Sequence, residues 1–124
     1  MEQLKPQISV DYKQGATVVT FRNEKILDDV DIQALADSIF GLIKEVQEVN
    51  LILDFQHVGF MSSAVLGLLI RVSKKVHENG GQIRLCGISR RIYQAFEITG
   101  LNKIFDIFPD IDDALRSTSA GSGA

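Results

Sequence analysis

The run Asn50-Leu51-Ile52-Leu53-Asp54-Phe55, followed after a short loop by an apolar-periodic helix, constrains this chain more than any other feature. A strand that is apolar at consecutive positions cannot turn either face to water, so it has to be covered on both. Strand, loop and amphipathic helix in that order imply a layered α/β domain whose helix-connected strands run parallel.

The rest of the chain supplies the layers. Ile8, Val10 and Tyr12 alternate with polar residues, as do Val19 and Phe21, and Lys13-Gln14-Gly15 lies between the two groups. Period two around a glycine-containing turn predicts an antiparallel hairpin over 7–13 and 16–22. From Asp29 to Gln47 the period lengthens. Ile32, Leu35, Ala36, Ile39, Phe40, Leu42, Ile43 and Val46 share one arc of a helical wheel, and Gln33, Asp37, Ser38, Gly41, Lys44, Glu45 and Glu48 the other, which describes an amphipathic helix with one buried face. Asp28, Asp29 and Asp31 fall just before or inside its first turn, where carboxylates favour the dipole, and read as capping acids rather than metal ligands. The second helix runs from Ser63 to His77 and stops at Asn79-Gly80-Gly81, residues that tolerate a left-handed C-cap. A strand over Gln82–Gly87 follows. Ser89 is placed to cap a short helix that ends at Thr99-Gly100, with Leu101 set to touch Phe96. Lys103–Phe108 reads as a short strand and 110–116 as a last helix.

The expected order is therefore β-β-α-β-α-β-α-β-α. It describes a single α/β domain over residues 1–116, with a mixed sheet of four or five strands and helices packed on it. Ser117–Ala124 offers no apolar anchor and is expected to be a disordered tail.

Composition excludes several functions. With 124 residues and 45% of them apolar, the chain can build one real core without staples. A net charge of −3 argues against a nucleic-acid partner, which selects a basic face. No apolar run approaches the roughly 18–20 residues that cross a bilayer, and the N-terminus lacks signal-peptide organisation, so no membrane partner is expected and a cytoplasmic location is. The lone Cys86 lies in a predicted strand and reads as a buried small hydrophobe rather than a nucleophile, which suits a reducing compartment.

Ser62 and Ser63 open the second helix. With Ser62 as N-cap, Ser63 becomes the first helical residue and Met61 can pack on Leu66. At about 100° per residue, Val65, Leu69, Val72 and Val76 form a tight stripe that must face the sheet. The same spacing puts Ser63, Gly67, Ile70 and Lys74 on nearly the opposite side, with Arg71 beside them. An exposed hydroxyl, a glycine that lets another backbone approach and an exposed apolar side chain make a candidate contact patch. Plain helix capping is the competing reading, and the two are compatible.

Catalytic readings fit less well. A nucleophile elbow needs glycine two positions before and two after its serine, and neither Ser62 nor Ser63 has them. His57 and His77 are the only histidines. His77 lies about 20 Å from Ser63 along the same helix, His57 belongs to a loop, and the acids show no metal-ligand spacing. A strand, loop and helix N-terminus can hold an anion. Here, however, Gln56–Met61 contains one glycine, no P-loop lysine and no dinucleotide fingerprint.

The segment Asp54-Phe-Gln-His-Val-Gly-Phe-Met-Ser-Ser-Ala-Val-Leu-Gly-Leu-Leu69 resembles the signature of anti-sigma factor antagonists, small bacterial proteins built on a STAS domain. Gly80–Ile88 is similar to that family's strand after the second helix, Phe96–Phe105 to its glycine-leucine stretch before a short strand, and Ile26–Val30 to its approach to the first helix, so that the likeness spans about residues 7–116. Members commonly read Met-Asp-Ser-Ser/Thr-Gly-Leu-Gly at the serines. Anchored on Phe60-Met61 and Leu66-Gly67, Ser63 falls on the phosphorylated serine, Ser62 replaces the Asp and Val65 replaces a Gly.

The resemblance implies a STAS fold with no catalysis and no cofactor of its own. It also implies a partner switch. Unphosphorylated, the chain would bind an anti-sigma factor of the serine-kinase type through Ser62, Ser63, Gly67, Ile70, Arg71 and Lys74. Phosphorylation of Ser63 by that kinase, which holds the ATP, would end binding, and a serine phosphatase would restore it. Two other STAS readings stay open: a module that binds a nucleotide or other anion, and a signalling scaffold whose serine is never phosphorylated.

Overall fold

The computed structural model describes residues 7–122, with side chains through Ser117. β1 (Ile8–Lys13) and β2 (Ala16–Phe21) form the expected hairpin. Gln14 and Gly15 take φ of 52° and 80° at its tip, as a two-residue type I′ turn requires. Next come β3 (Lys25–Ile26), α1 (Asp29–Glu45), β4 (Asn50–Asp54), β5 (Phe60–Met61), α2 (Ala64–Glu78), β6 (Gln82–Cys86), α3 (Arg90–Thr99), β7 (Asp106–Phe108) and α4 (Ile111–Ser122). Five strands in the order β1-β2-β4-β6-β7 make one mixed sheet, antiparallel between β1 and β2 and parallel elsewhere.

Both faces of this sheet are covered, which explains the consecutive apolar residues of β4. Leu51 and Leu53 join Leu35 and Ile39 of α1, Leu69 and Val72 of α2 and Phe96 of α3 in the main core. Ile52 points the other way and packs with Val18, Cys86, Ala114 and Leu115 under α4. Each fully buried aliphatic side chain contributes roughly 1.5–3 kcal/mol. α2 buries Val65, Leu69, Val72 and Val76, the stripe that the spacing predicts, together with Leu66, Leu68 and Ser73. It ends as expected: Gly80 is left-handed (φ 77°) and the Gly81 N–H donates to the Val76 carbonyl at 2.9 Å. Any Cβ on Gly81 would collide with the Val49 backbone.

Several details depart from the sequence reading. Asp28 precedes α1, but its side chain makes no capping bond, while Asp29 and Asp31 do lie in the first turn. The predicted strand over Lys103–Phe108 is shorter, because Leu101–Lys103 form a 3-10 turn and Phe105 turns into the core. There its ring packs edge-on to Phe96 with centroids 6.3 Å apart. The backbone of α4 passes the expected end at Arg116 and reaches Ser122. Arg84 donates to Ser117 Oγ at 3.4 Å, tying that turn to the sheet. Residues 1–6 of the expected domain and 123–124 of the expected tail lie outside the described residues. Among the described residues, no helix is long and apolar enough to cross a membrane.

Candidate functional site

The two serines are positioned by a pairing that has no periodic signal. β5 lies parallel to β3, with Phe60 opposite Lys25 and Met61 opposite Ile26. The Gly59 and Phe60 N–H groups both donate to the Glu24 carbonyl, at 2.8 and 3.1 Å, and the Ser62 N–H donates to the Ile26 carbonyl at 3.0 Å. Immediately afterwards the carbonyls of Ser62 and Ser63 accept from Val65 and Leu66, each at 3.0 Å, and α2 begins.

The side-chain cap expected of Ser62 does not form, and the boundary residue of α2 is Ser63. Its backbone is already helical (φ −63°, ψ −20°) and its side chain makes no capping bond. A capping hydroxyl reaches back from an extended backbone, as that of Ser89 does at φ −66°, ψ 158°. Ser62 does not cap either, because its Oγ is buried without a hydrogen-bond partner. Ser63 itself is exposed. Its hydroxyl is therefore open to reagents and not bound to its own helix.

Ser62 and Ser63 line a largely apolar groove of about 410 Å³ together with Leu27, Phe60, Arg91 and Ala95. Phe60 is 39% exposed and attracts two cations. The guanidinium carbon of Arg91 lies 5.1 Å from its ring centroid and Lys25 Nζ lies 5.7 Å away, both within cation–π reach. Gly67, Ile70, Arg71 and Lys74 do not line this groove; they continue from it along the outer side of α2. All four are exposed, and a side chain at Gly67 would meet nothing. Leu27, Phe60 and Arg91 belong to the site too, and sequence spacing does not reveal them. They sit on three separate segments, the loop after β3, β5 and α3, that only tertiary packing joins. Of these, only the aromatic beside the serines carried a signal.

Other reactive side chains are engaged elsewhere. Asp54 is buried where β4 ends, and its carboxylate accepts from the Gln56 backbone N–H at 3.0 Å and from Gln56 Nε2 at 2.8 Å. Burial, followed by the charge of Asp54 and its hydrogen bond, pushes the Cys86 thiol up to about 12, so it stays protonated and a poor nucleophile. His77 Nδ1 lies 3.4 Å from Ser73 Oγ on a late turn of α2. His57 borders a separate hollow with Ser9, Thr20 and Arg22. Among the described residues, no three His, Cys, Asp or Glu side chains cluster as a metal site.

The chain matches the family model of the STAS domain over residues 7–114, and it belongs to that family. It is 29% identical over 100 residues to the anti-sigma-B factor antagonist of Bacillus subtilis strain 168, an alignment covering 81% of this chain and 90% of the relative. An anti-sigma factor antagonist from Mycobacterium paratuberculosis superposes with a TM-score of 0.78 at 26% identity, over 89% of this chain and 91% of that one. An anti-sigma-factor antagonist (STAS) domain protein from Planctomyces limnophilus shares the fold with a TM-score of 0.80 at 20% identity, over 90% and 97% of the two chains.

Proposed function

We propose that the protein is an anti-sigma factor antagonist that works as a phosphorylation-controlled partner switch, with Ser63 as the acceptor. One observation carries this reading. The Ser63 hydroxyl is exposed at the head of α2, makes no capping bond, and adjoins both the groove and the outer strip of Gly67, Ile70, Arg71 and Lys74. Its relatives by sequence are named as anti-sigma factor antagonists.

In the unmodified state this surface binds an anti-sigma factor of the serine-kinase type and so frees the sigma factor. The kinase moves the γ-phosphoryl group of its own ATP to Ser63 Oγ; ADP leaves, and the hydroxyl proton passes to a base. The product carries roughly −1.5 to −2 charges at neutral pH. A helix N-terminus favours such a charge by about 0.3–1 kcal/mol, so the domain stays folded and the cost falls on the partner contact. A serine phosphatase hydrolyses the ester, releases inorganic phosphate and restores binding. The chain itself catalyses nothing and needs no cofactor, and the switch operates in the cytoplasm.

The test is incubation with a cognate kinase and ATP, peptide mapping, and a binding titration against the anti-sigma factor. One phosphate on Ser63 and loss of binding are expected. Ser63→Asp stays folded and binds poorly, whereas Ser63→Ala binds and cannot be switched off. Phosphate on Ser62 or elsewhere, with Ser63 unmodified, overturns the assignment.

A further inference from the structure

Phosphate on Ser63 would enter a groove that already holds a cation. Ser63 and Arg91 line the same groove. Arg91, in the first turn of α3, rests its guanidinium over Phe60, and Lys25 of β3 approaches the same ring. Both cations are exposed. Among the described residues the one ion pair joins Arg116 to Asp113, so neither cation is matched by a carboxylate. The acids on the neighbouring segments are Glu24, whose side chain lies by Gly59, and Asp28, next to the groove residue Leu27. Arg91 and Lys25 thus approach one exposed ring beside an open hydroxyl, and neither is held in an ion pair.

We propose that Arg91 is the intramolecular counter-ion of phosphorylated Ser63, with Lys25 in support. The inference rests on the reading of Ser63 as the acceptor and adds what the phosphate does within this chain. When the phosphate forms, the guanidinium leaves the face of Phe60 and pairs with phosphate oxygens across the groove. A planar guanidinium engages two such oxygens at once, and it loses its hydration more readily than an ammonium. The cation–π contact it gives up is weak at an exposed ring. Phosphorylation then changes the surface in two ways. It adds charge at the head of α2, and it fills the groove beside Leu27 and Phe60 that the unmodified protein presents to a partner.

The test uses the full chain with phosphoserine incorporated at position 63 during translation and follows the phosphate by phosphorus NMR as pH is varied. Phosphoserine loses its second proton near pH 6, and a nearby cation favours the dianion and lowers that value. The α2 N-terminus acts equally in every variant, so comparison isolates Arg91. Arg91→Gln is expected to titrate about half a unit or more above the parent, with Arg91→Lys between them. Lys44→Gln, in the last turn of α1, is expected to leave the titration where it was. Thermal melts of the unphosphorylated forms verify that each variant folds. Coincident titrations of the parent and Arg91→Gln, or an equal shift in Lys44→Gln, overturn the proposal. Affinity for the anti-sigma factor, measured on the same phosphoprotein, separates this inference from the switch. Retained binding with a shifted titration rejects the switch and keeps the pairing, and lost binding with coincident titrations rejects the pairing alone.

Discussion

Two strand-to-helix junctions in this fold place a serine at the start of a helix and use it in opposite ways. Between β6 and α3 the link is short. Ser89 is extended, its Oγ accepts the Ile92 N–H at 3.2 Å, and its carbonyl accepts from Tyr93 at 2.8 Å. Between β4 and α2 the link is longer and contains β5, whose pairing with β3 delivers Ser63 in a helical backbone conformation with no capping bond. The difference follows from what each helix buries. α3 buries only Ile92 and Phe96, whereas α2 buries seven residues. Helix stability in proteins comes mainly from such packing, so α2 can begin without a cap and leave its serine hydroxyl free. α3 has less to hold it and uses the hydroxyl for itself.

The comparison breaks if α2 is not held by its stripe. Leu69 is fully buried. Leu69→Asp both removes packing, which for a buried leucine is worth about 2–5 kcal/mol, and buries an unpaired charge. The expected outcome is loss of the cooperative thermal transition by circular dichroism. One residue on, Ile70 is exposed, and Ile70→Glu should shift stability by no more than about 0.5 kcal/mol. Normal melting of Leu69→Asp would remove the reason for α2 to dispense with a cap.

At the other junction, Ser89→Ala should cost about 0.5–2 kcal/mol in urea unfolding, as a lost cap does. A neutral result would make the two junctions alike. The end of β6 offers a pH-dependent check. Burial raises the Cys86 thiol from 9.0 to about 12 in the fold. The unfolded chain therefore releases this proton first, and the stability contribution is complete below pH 9 and lost as pH rises towards 12. Urea unfolding should show a loss of about 1 kcal/mol between pH 8 and pH 10, reduced in Cys86→Ala. The same thiol should resist alkylation until the protein is denatured.

Where burial imposes a period, the sequence could be read closely. The stripe of α2, the double-sided β4, the glycine stops at Gly80 and Gly100 and the Ser89 cap all emerge from local spacing, because one helix turn or one strand repeat decides each. The pairing of β3 with β5 could not be read. Two residues on each side are too short for any period, and the partners are far apart in sequence. With that pairing went the groove, since Leu27, Phe60 and Arg91 meet Ser63 only after it forms. The expected Ser62 cap failed because its Oγ is buried without a partner, a tertiary outcome that local spacing does not show.

Ser62 sharpens the contrast with a smaller effect. A capping Ser62 would cost stability when removed, but here its Oγ is buried without a partner. An unsatisfied buried polar atom is itself unfavourable, so Ser62→Ala should be neutral or stabilising by up to about 1 kcal/mol. A clear loss of stability in urea unfolding would mean that this hydroxyl bonds to something in solution.

The smallest effect on stability falls on Ser63. Its hydroxyl is exposed and makes no capping bond, and alanine is the better helix former, so Ser63→Ala should change stability by no more than about 0.5 kcal/mol. The same substitution removes the oxygen proposed to accept phosphate, so intact mass after incubation with the cognate kinase should stay constant while the parent gains one phosphate. Ser89→Ala should give the reverse pair of results, a measurable loss of stability with phosphate acceptance intact. The two variants together test whether a serine at a helix start serves its helix or a partner. If Ser63→Ala loses as much stability as Ser89→Ala, then Ser63 caps α2 in solution, its hydroxyl is bound in both junctions, and the physical argument for a free acceptor fails.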